Sequence, residues 1–263
     1  MPQIDPRITL VGLVVGTLVG LSGVGGGSLV TPLLVMVLGI KPIVAVGTDL
    51  IYSVPTKIVG ATVHHRQGTV NWRLVRYLVY GGIPAAVLGL VVLSYLQSHM
   101  GMDSVNSLVK HLLGWMLFLV SLAILVKPVL GRFLKQYSDK AELTWDRATI
   151  SRIVALGAVV GFLVSLTSIG SGSLTVPLLY FLVPQLGLRG LVGSDVAFAA
   201  ILIPIAAAGH LQMGHIDLGL ALSLLLGSVP GVIVGSRFCA YFPDVWLRPM
   251  LAGALVFAGT RLV

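Results

Sequence analysis

The sequence predicts an all-α polytopic membrane protein of two inverted repeats, each a broken, glycine-tipped helical hairpin plus three transmembrane helices. Three observations predict it. The 263 residues are 56% hydrophobic and only 10% charged, with a mean hydropathy of +1.00. A soluble domain carries about 25% charged residues, so this chain cannot cover itself with a hydrated surface. Second, the apolar residues fall into segments of membrane-crossing length. Third, a glycine-rich break within the first apolar run returns in the second half of the chain.

The apolar segments are 7–22, 28–40, 43–63, 72–97, 107–127, 148–167, 173–186, 190–209, 217–241 and 245–262. A full crossing needs about 20 residues, which 43–63, 72–97, 107–127, 190–209 and 217–241 exceed; 245–262 is near the lower limit. The pieces 28–40 and 173–186 are shorter and suit helices that reach part-way, turn at the glycines and return. Arg7 ahead of an apolar run imitates a secretory signal, but no small-residue cleavage site follows, so the run is expected to be a retained structural segment.

The repeat is read at an offset of 145, where Gly25, Gly27, Ser28 and Pro32 match Gly170, Gly172, Ser173 and Pro177. After a one-residue insertion the offset is 146: Val46-Gly-Thr-Asp49 matches Val192-Gly-Ser-Asp195, and His64 matches His210. Gly81 and Pro84 then match Gly227 and Pro230, and the two prolines read as kinks. This divides the chain into repeat 1 at 1–130, a cytoplasmic linker at 131–147 and repeat 2 at 148–263.

Loop charges set the orientation. The central stretch carries Lys127, Arg132, Lys135, Lys140, Arg147 and Arg152, and basic loops stay cytoplasmic. The loop after 43–63 holds Arg66, Arg73 and Arg76, whereas its mate 210–216 holds no Lys or Arg. Inverted copies place twelve Lys/Arg inside and four outside; parallel copies give about eleven against five. The net charge of +8 is thus explained by topology and anionic lipid, not by nucleic acid. Trp72, Trp145 and Trp246 read as interfacial anchors. Cys239, the single cysteine, excludes an internal disulfide and offers no metal cluster. No metal or cofactor is expected.

Glycine-rich breaks at matching places in two halves point to a transport site at the bilayer midplane. Each short helix following a break would offer unpaired backbone N–H groups and a positive dipole end to an anion. The expected substrate site is therefore Gly25, Gly26, Gly27 and Ser28 with Gly170, Ser171, Gly172 and Ser173, and with Thr48, Lys57 and Ser194 nearby. The plainer reading is that these small residues only let helices pack closely. Asp49 and Asp195, each after a hydroxyl residue, are candidates for cation or proton coupling; capping a helix N-terminus is the structural alternative. Lys57, the one Lys or Arg deep in a predicted span, stands two turns after Asp49 on the same face and would neutralise an anion or pair with a carboxylate. His64 and His210 are candidates for gating or a proton relay, with interfacial packing as the alternative.

Taken together, the duplicated glycine segments with their prolines, the Gly47-Thr-Asp49 and Gly193-Ser-Asp195 signatures, and the stretches His64…Gly68-Thr-Val-Asn71 and His210…Gly214-His-Ile-Asp217 resemble the TauE/SafE family of sulfite-exporter-like anion permeases over nearly the whole chain. The second copy departs from the first in having Ser171 where the first has Gly26. The resemblance implies transport of a small anion such as sulfite, a sulfonate or thiosulfate across the bacterial cytoplasmic (inner) membrane, in a direction that varies between members. The expectation is a secondary transporter working by alternating access, not an enzyme. With no GxxxxGK[ST] motif, a proton or sodium gradient or the substrate's own gradient supplies the energy. An oligomer is left open. Two other classes compete: a passive anion channel using the same helix ends, and an intramembrane aspartyl protease using Asp49 and Asp195. The protease is disfavoured because neither a Tyr-Asp nor a Gly-x-Gly-Asp signature is present.

Overall fold

The computed structural model describes residues 5–22, 27–138, 145–238 and 244–263. Gly25, Gly26 and Cys239 lie outside the described residues, as does the side chain of Trp246. The described chain is helical, in the order α1 (Pro6–Ser22), α2 (Gly27–Met36), α3 (Pro42–Arg66), α4 (Trp72–Ser138), α5 (Arg147–Thr167), α6 (Thr175–Leu182), α7 (Gly187–Gln212), α8 (Leu218–Phe238) and α9 (Asp244–Leu262), with a 3₁₀ turn at Pro184–Leu186. The protein is a multi-pass membrane protein. Its outward faces carry Leu88, Val91, Trp115, Leu119 and Val159, whereas Leu74, Leu78, Leu113, Leu117, Ile153 and Phe198 are fully buried.

Element lengths depart from expectation at three places. The segments read as 72–97 and 107–127 are one helical run, interrupted only at Gly101 (φ 78°, ψ 162°). That left-handed residue lets the chain reverse between α4a (72–100) and α4b (102–138). The reversal follows from two contacts. Asn106 accepts a hydrogen bond from the Ile43 N–H where α3 begins, and Trp145, near the end of the expected linker, packs beneath Arg73 and beside Tyr77 where α4a begins. Helix also continues through 131–138, so the linker expected at 131–147 is partly α-helical. Finally, α5 has 21 residues and reaches crossing length, whereas α2 and α6 have only 10 and 8.

The two halves interlock through matched contacts. α1 lies against α8, with Gly12 on the Leu224 backbone and Gly16 on Ser228, so the two run parallel. α5 lies against α4a in the same way, with Gly157 on Leu78 and Gly161 on Gly82. The mates α3 and α7 instead pack antiparallel, Gly47 meeting His210 and His215 while Gly60 meets Val196. α4b and α9 do the same, with Gly114 on Val263 and Ser121 donating to the Ala252 carbonyl. Each half therefore lends its first helix to the other, and the main core draws on both.

Helices in lipid gain little from apolar burial and rely on close approach, which small residues permit. The spacings Gly12/Gly16, Gly157/Gly161 and Gly227/Gly231 serve this at the two parallel seams. A Cβ on Gly81 would meet the Val154 carbonyl, and one on Gly227 the Thr9 carbonyl. Gly81→Ala and Gly227→Ala are each expected to cost about 1–3 kcal/mol, read as a lowered apparent Tm in detergent. Gly253→Ala, with nothing within 4 Å of the added carbon, is expected to leave the Tm unchanged.

Candidate functional site

The second glycine-rich break meets the start of α2. α5 ends at Ser168, whose left-handed backbone (φ 59°) caps the helix by an N–H bond to the Val164 carbonyl. From there the chain runs without helical geometry to Thr175, turning at Gly170 (φ 146°) and Gly172 (φ 85°). α2 begins at Gly27, and a Cβ there would stand 2.5 Å from the Ser168 carbonyl oxygen and 3.3 Å from Asp49 Oδ2. Backbone meets backbone at this point, with a carboxylate beside it.

Asp49 is fully buried, and its Oδ2 accepts a 2.6 Å hydrogen bond from the Thr31 hydroxyl one turn into α2. The Ser168 hydroxyl lies near the same carboxylate without completing a hydrogen bond. Asp195 is 1% exposed and has no hydrogen bond to either oxygen, although Gly172 and Thr175 lie near it. Lys57, half-buried on α3, attracts both carboxylates.

The start of α6 offers an anion less than its sequence suggests. The N–H groups of Leu174 and Thr175 and the Thr175 hydroxyl all bond the Gly170 carbonyl, and Pro177 has no N–H to give. Gly172 lies beside the protein's own Asp195. Ser28 and Ser173 are buried, Ser173 Oγ without a partner, while Ser171 is half-buried.

Thr48 and Ser194 have their hydroxyls engaged elsewhere. Thr48 Oγ1 accepts from the Asp217 N–H (3.1 Å) and Ser194 Oγ from the Asn71 N–H (2.9 Å), a matched pair of latches. Asp217 and Asn71 in turn cap α8 and α4a through the N–H groups of Leu220 and Leu74. Both hydroxyls tie helix starts together.

His64 and His210 occupy different surroundings. His64 Nδ1 pairs with the Thr69 hydroxyl at 2.9 Å and lines a cavity. His210 is fully buried, its Nε2 bonded to the Ser165 carbonyl and its ring edge-on to His215 at 5.4 Å.

The cavity that His64 lines measures about 260 Å³ and lies among α1, α3, α7 and α8. Tyr52, Ser53, Thr56 and Lys57 give it one polar wall, and Val19, Gly60, Val196 and Val232 complete it. The clefts of about 390 and 320 Å³ along α9 and α4b are lined by almost wholly apolar side chains facing the lipid. Among the described residues no cluster of three or more His, Cys, Asp or Glu suited to a metal ion occurs.

The family model for the sulfite exporter TauE/SafE matches residues 8–262. The chain belongs to the TauE/SafE family. Among TauE/SafE-like relatives, it is 40% identical to the probable membrane transporter protein YjnA of Bacillus subtilis, covering 97% of this chain and 98% of the relative. The probable membrane transporter protein YdhB of the same organism is 29% identical over 95% of this chain and 98% of its own length. The archaeal MJ0441 of Methanocaldococcus jannaschii, also a probable membrane transporter protein, is 25% identical over 97% and 93%. No solved structure gives a significant match.

Sequence reasoning passed over Thr31, Ser168 and His215. Thr31 and Ser168 reach Asp49 only because the second break meets the start of α2, and no local pattern marks that. His215 is the repeat mate of Thr69, a different chemistry, so the repeat carried no signal there. Burial pushes the His215 imidazole below the usual histidine value, and neither ring nitrogen has a hydrogen-bond partner. Between that lowered value and the unfolded value of about 6.5, the unfolded chain binds more protons, so stability falls as pH drops through this window. The apparent Tm is expected to decrease on acidification from neutral pH, and His215→Gln to flatten that slope in a detergent thermal-shift titration.

Proposed function

We propose that this TauE/SafE protein is a secondary transporter of a small anion. Its substrate enters the Lys57 cavity and passes the crossing of the two glycine breaks by alternating access. The observation that carries the reading is the crossing itself: Gly27 against the Ser168 carbonyl, with Asp49 beside them and Lys57 attracting both carboxylates. Antiparallel packing of the mates α3 and α7, and of α4b and α9, is what inverted copies produce. Broken helices at such a repeat interface are a recurring device for moving a substrate from one side to the other. A ligand wedged between the breaks would be handed on by a small rocking of one half against the other.

The substrate is held at the lysine and not at the helix N-termini. The N-termini face Asp49 and Asp195, and a second anion there would meet like charge. Lys57 supplies a cation at a cavity wide enough for a small oxyanion, with the Ser53 and Tyr52 hydroxyls on the same wall. The family name and the resemblance favour sulfite, a sulfonate or thiosulfate as that anion. Arg66, Arg73, Arg76, Arg147 and Arg152 lie at or beside the helix ends that Thr69 and Trp145 bring together, which the positive-inside rule assigns to the cytoplasm of a bacterial inner membrane. The channel alternative differs in one measurable respect, since only a coupled carrier moves anion uphill.

Charged hydrogen bonds contribute about 1.5–3 kcal/mol, so Lys57→Gln is expected to weaken anion binding roughly 10–100-fold. Radiolabelled sulfite, thiosulfate and taurine uptake into proteoliposomes, with binding by thermal shift, checks this. Unchanged binding in Lys57→Gln would remove the cavity from the pathway. Uptake that never exceeds equilibrium under imposed pH or sodium gradients would favour a channel.

A further inference from the structure

The mates Asp49 and Asp195 are buried to the same degree but are not held alike. Asp49 receives the short Thr31 hydroxyl bond at one oxygen and has Gly27 beside it. The position matching Thr31 in the second half is Val176, which has no hydroxyl to offer. Asp195 is left with both oxygens unbonded at 1% exposure. An ionised carboxylate buried without hydrogen bonds is strongly disfavoured, so Asp195 depends on the Lys57 cation for its charge. A short hydroxyl bond to an ionised carboxylate favours the charge, so Asp49 keeps its charge with less help from Lys57 than Asp195 does.

The surroundings of Asp195 leave few ways to neutralise it. From α3 comes Lys57, which Asp49 shares, and Tyr52 and His64 stand with it on the cavity wall, His64 bonded to Thr69. From α6 and the break come Gly172 and Thr175, whose hydroxyl is given to the Gly170 carbonyl. Where α4a meets α7, Gly82 packs on Phe198, and α1 and α8 face the cavity with Val19 and Val232. At the far end of α7, His210 turns to the Ser165 carbonyl of α5.

We propose that Asp195 is the proton carrier of the transport cycle, protonated when the anion occupies the Lys57 cavity and deprotonated when the cavity is empty. This rests on the transport reading above. An anion on Lys57 withdraws that cation from the carboxylates and adds a negative charge beside them. Asp195 then takes a proton from water on the side where the anion enters and becomes a neutral acid. When the anion leaves, Lys57 is again free to stabilise the carboxylate, and the proton passes to water on the far side. Anion and proton therefore move together, in the same direction.

The test uses anions that carry no proton of their own near neutral pH, thiosulfate and methanesulfonate, because sulfite would itself ferry protons. With the full-length protein in pyranine-loaded liposomes, an inward thiosulfate gradient is expected to acidify the lumen as the anion enters. In detergent, calorimetry in two buffers of different ionisation heat is expected to show proton uptake on anion binding. Asp195→Asn is expected to abolish the uptake, so that whatever anion it still carries enters without acidification; Asp49→Asn is expected to retain the uptake. Anion binding or entry by the wild type without proton uptake overturns the proposal and leaves the transport reading intact. Loss of uptake in Asp49→Asn with retention in Asp195→Asn overturns the assignment to Asp195. If neither anion binds or moves, and sulfite and taurine also fail, the transport reading falls and this proposal with it.

Discussion

Where Gly27 meets the Ser168 carbonyl, two interrupted helices from opposite halves of the chain approach backbone to backbone inside an apolar bundle. Broken backbone at such depth is tolerated only where protein groups or a cavity satisfy it. Here the Gly170 carbonyl is satisfied by the first amides and hydroxyl of α6, and Asp49 ties the start of α2 to α3 through Thr31. Much of the remaining architecture holds these segments in place. α3 and α7 bring the aspartates, while the parallel seams of α1 with α8 and α5 with α4a hold the helices leading into each break.

The interlocking has a mechanical consequence. Because each half contributes its first helix to the other, the halves cannot separate as independent domains. Relative movement must slide along seams where glycine already lies against carbonyl. Seams of small residues offer smooth surfaces with few side chains to repack. The latches from Thr48 to Asp217 and from Ser194 to Asn71 instead join the starts of α3 and α8 and of α7 and α4a, which makes those pairs move as units.

Symmetry and its breaking divide the work of the site. Matched contacts such as Gly47 on His215 and Gly193 on Thr69 keep the frame nearly two-fold. The departures fall where chemistry is needed: Lys57 has Ile203 as its mate, Thr31 has Val176, and His215 has Thr69. One cation facing two carboxylates of unequal support is one positive charge short of balance, which the proposed proton on Asp195 supplies. A perfectly repeated sequence would give two equal half-sites and no such requirement.

Class and repeat were legible without coordinates, because membrane crossing demands length and low charge from each segment separately, and duplication leaves the same residues at a fixed offset. Low charge density, the matched Val-Gly-Thr-Asp and Val-Gly-Ser-Asp signatures and the uneven loop charges are all local or countable. Asp49, Asp195 and Lys57 stand out in the sequence for the same reason: ionisable groups are conspicuous in apolar runs. Only the tertiary structure decided what those groups touch. That the second break meets the start of α2 at Gly27 and Ser168, that Thr48 and Ser194 serve as latches, that the α6 amides close on Gly170, and that Thr31 supports one aspartate and not its mate all depend on elements far apart in sequence. Hydrogen bonds and backbone contacts of that kind act over about 3 Å, and no periodicity along the chain encodes them.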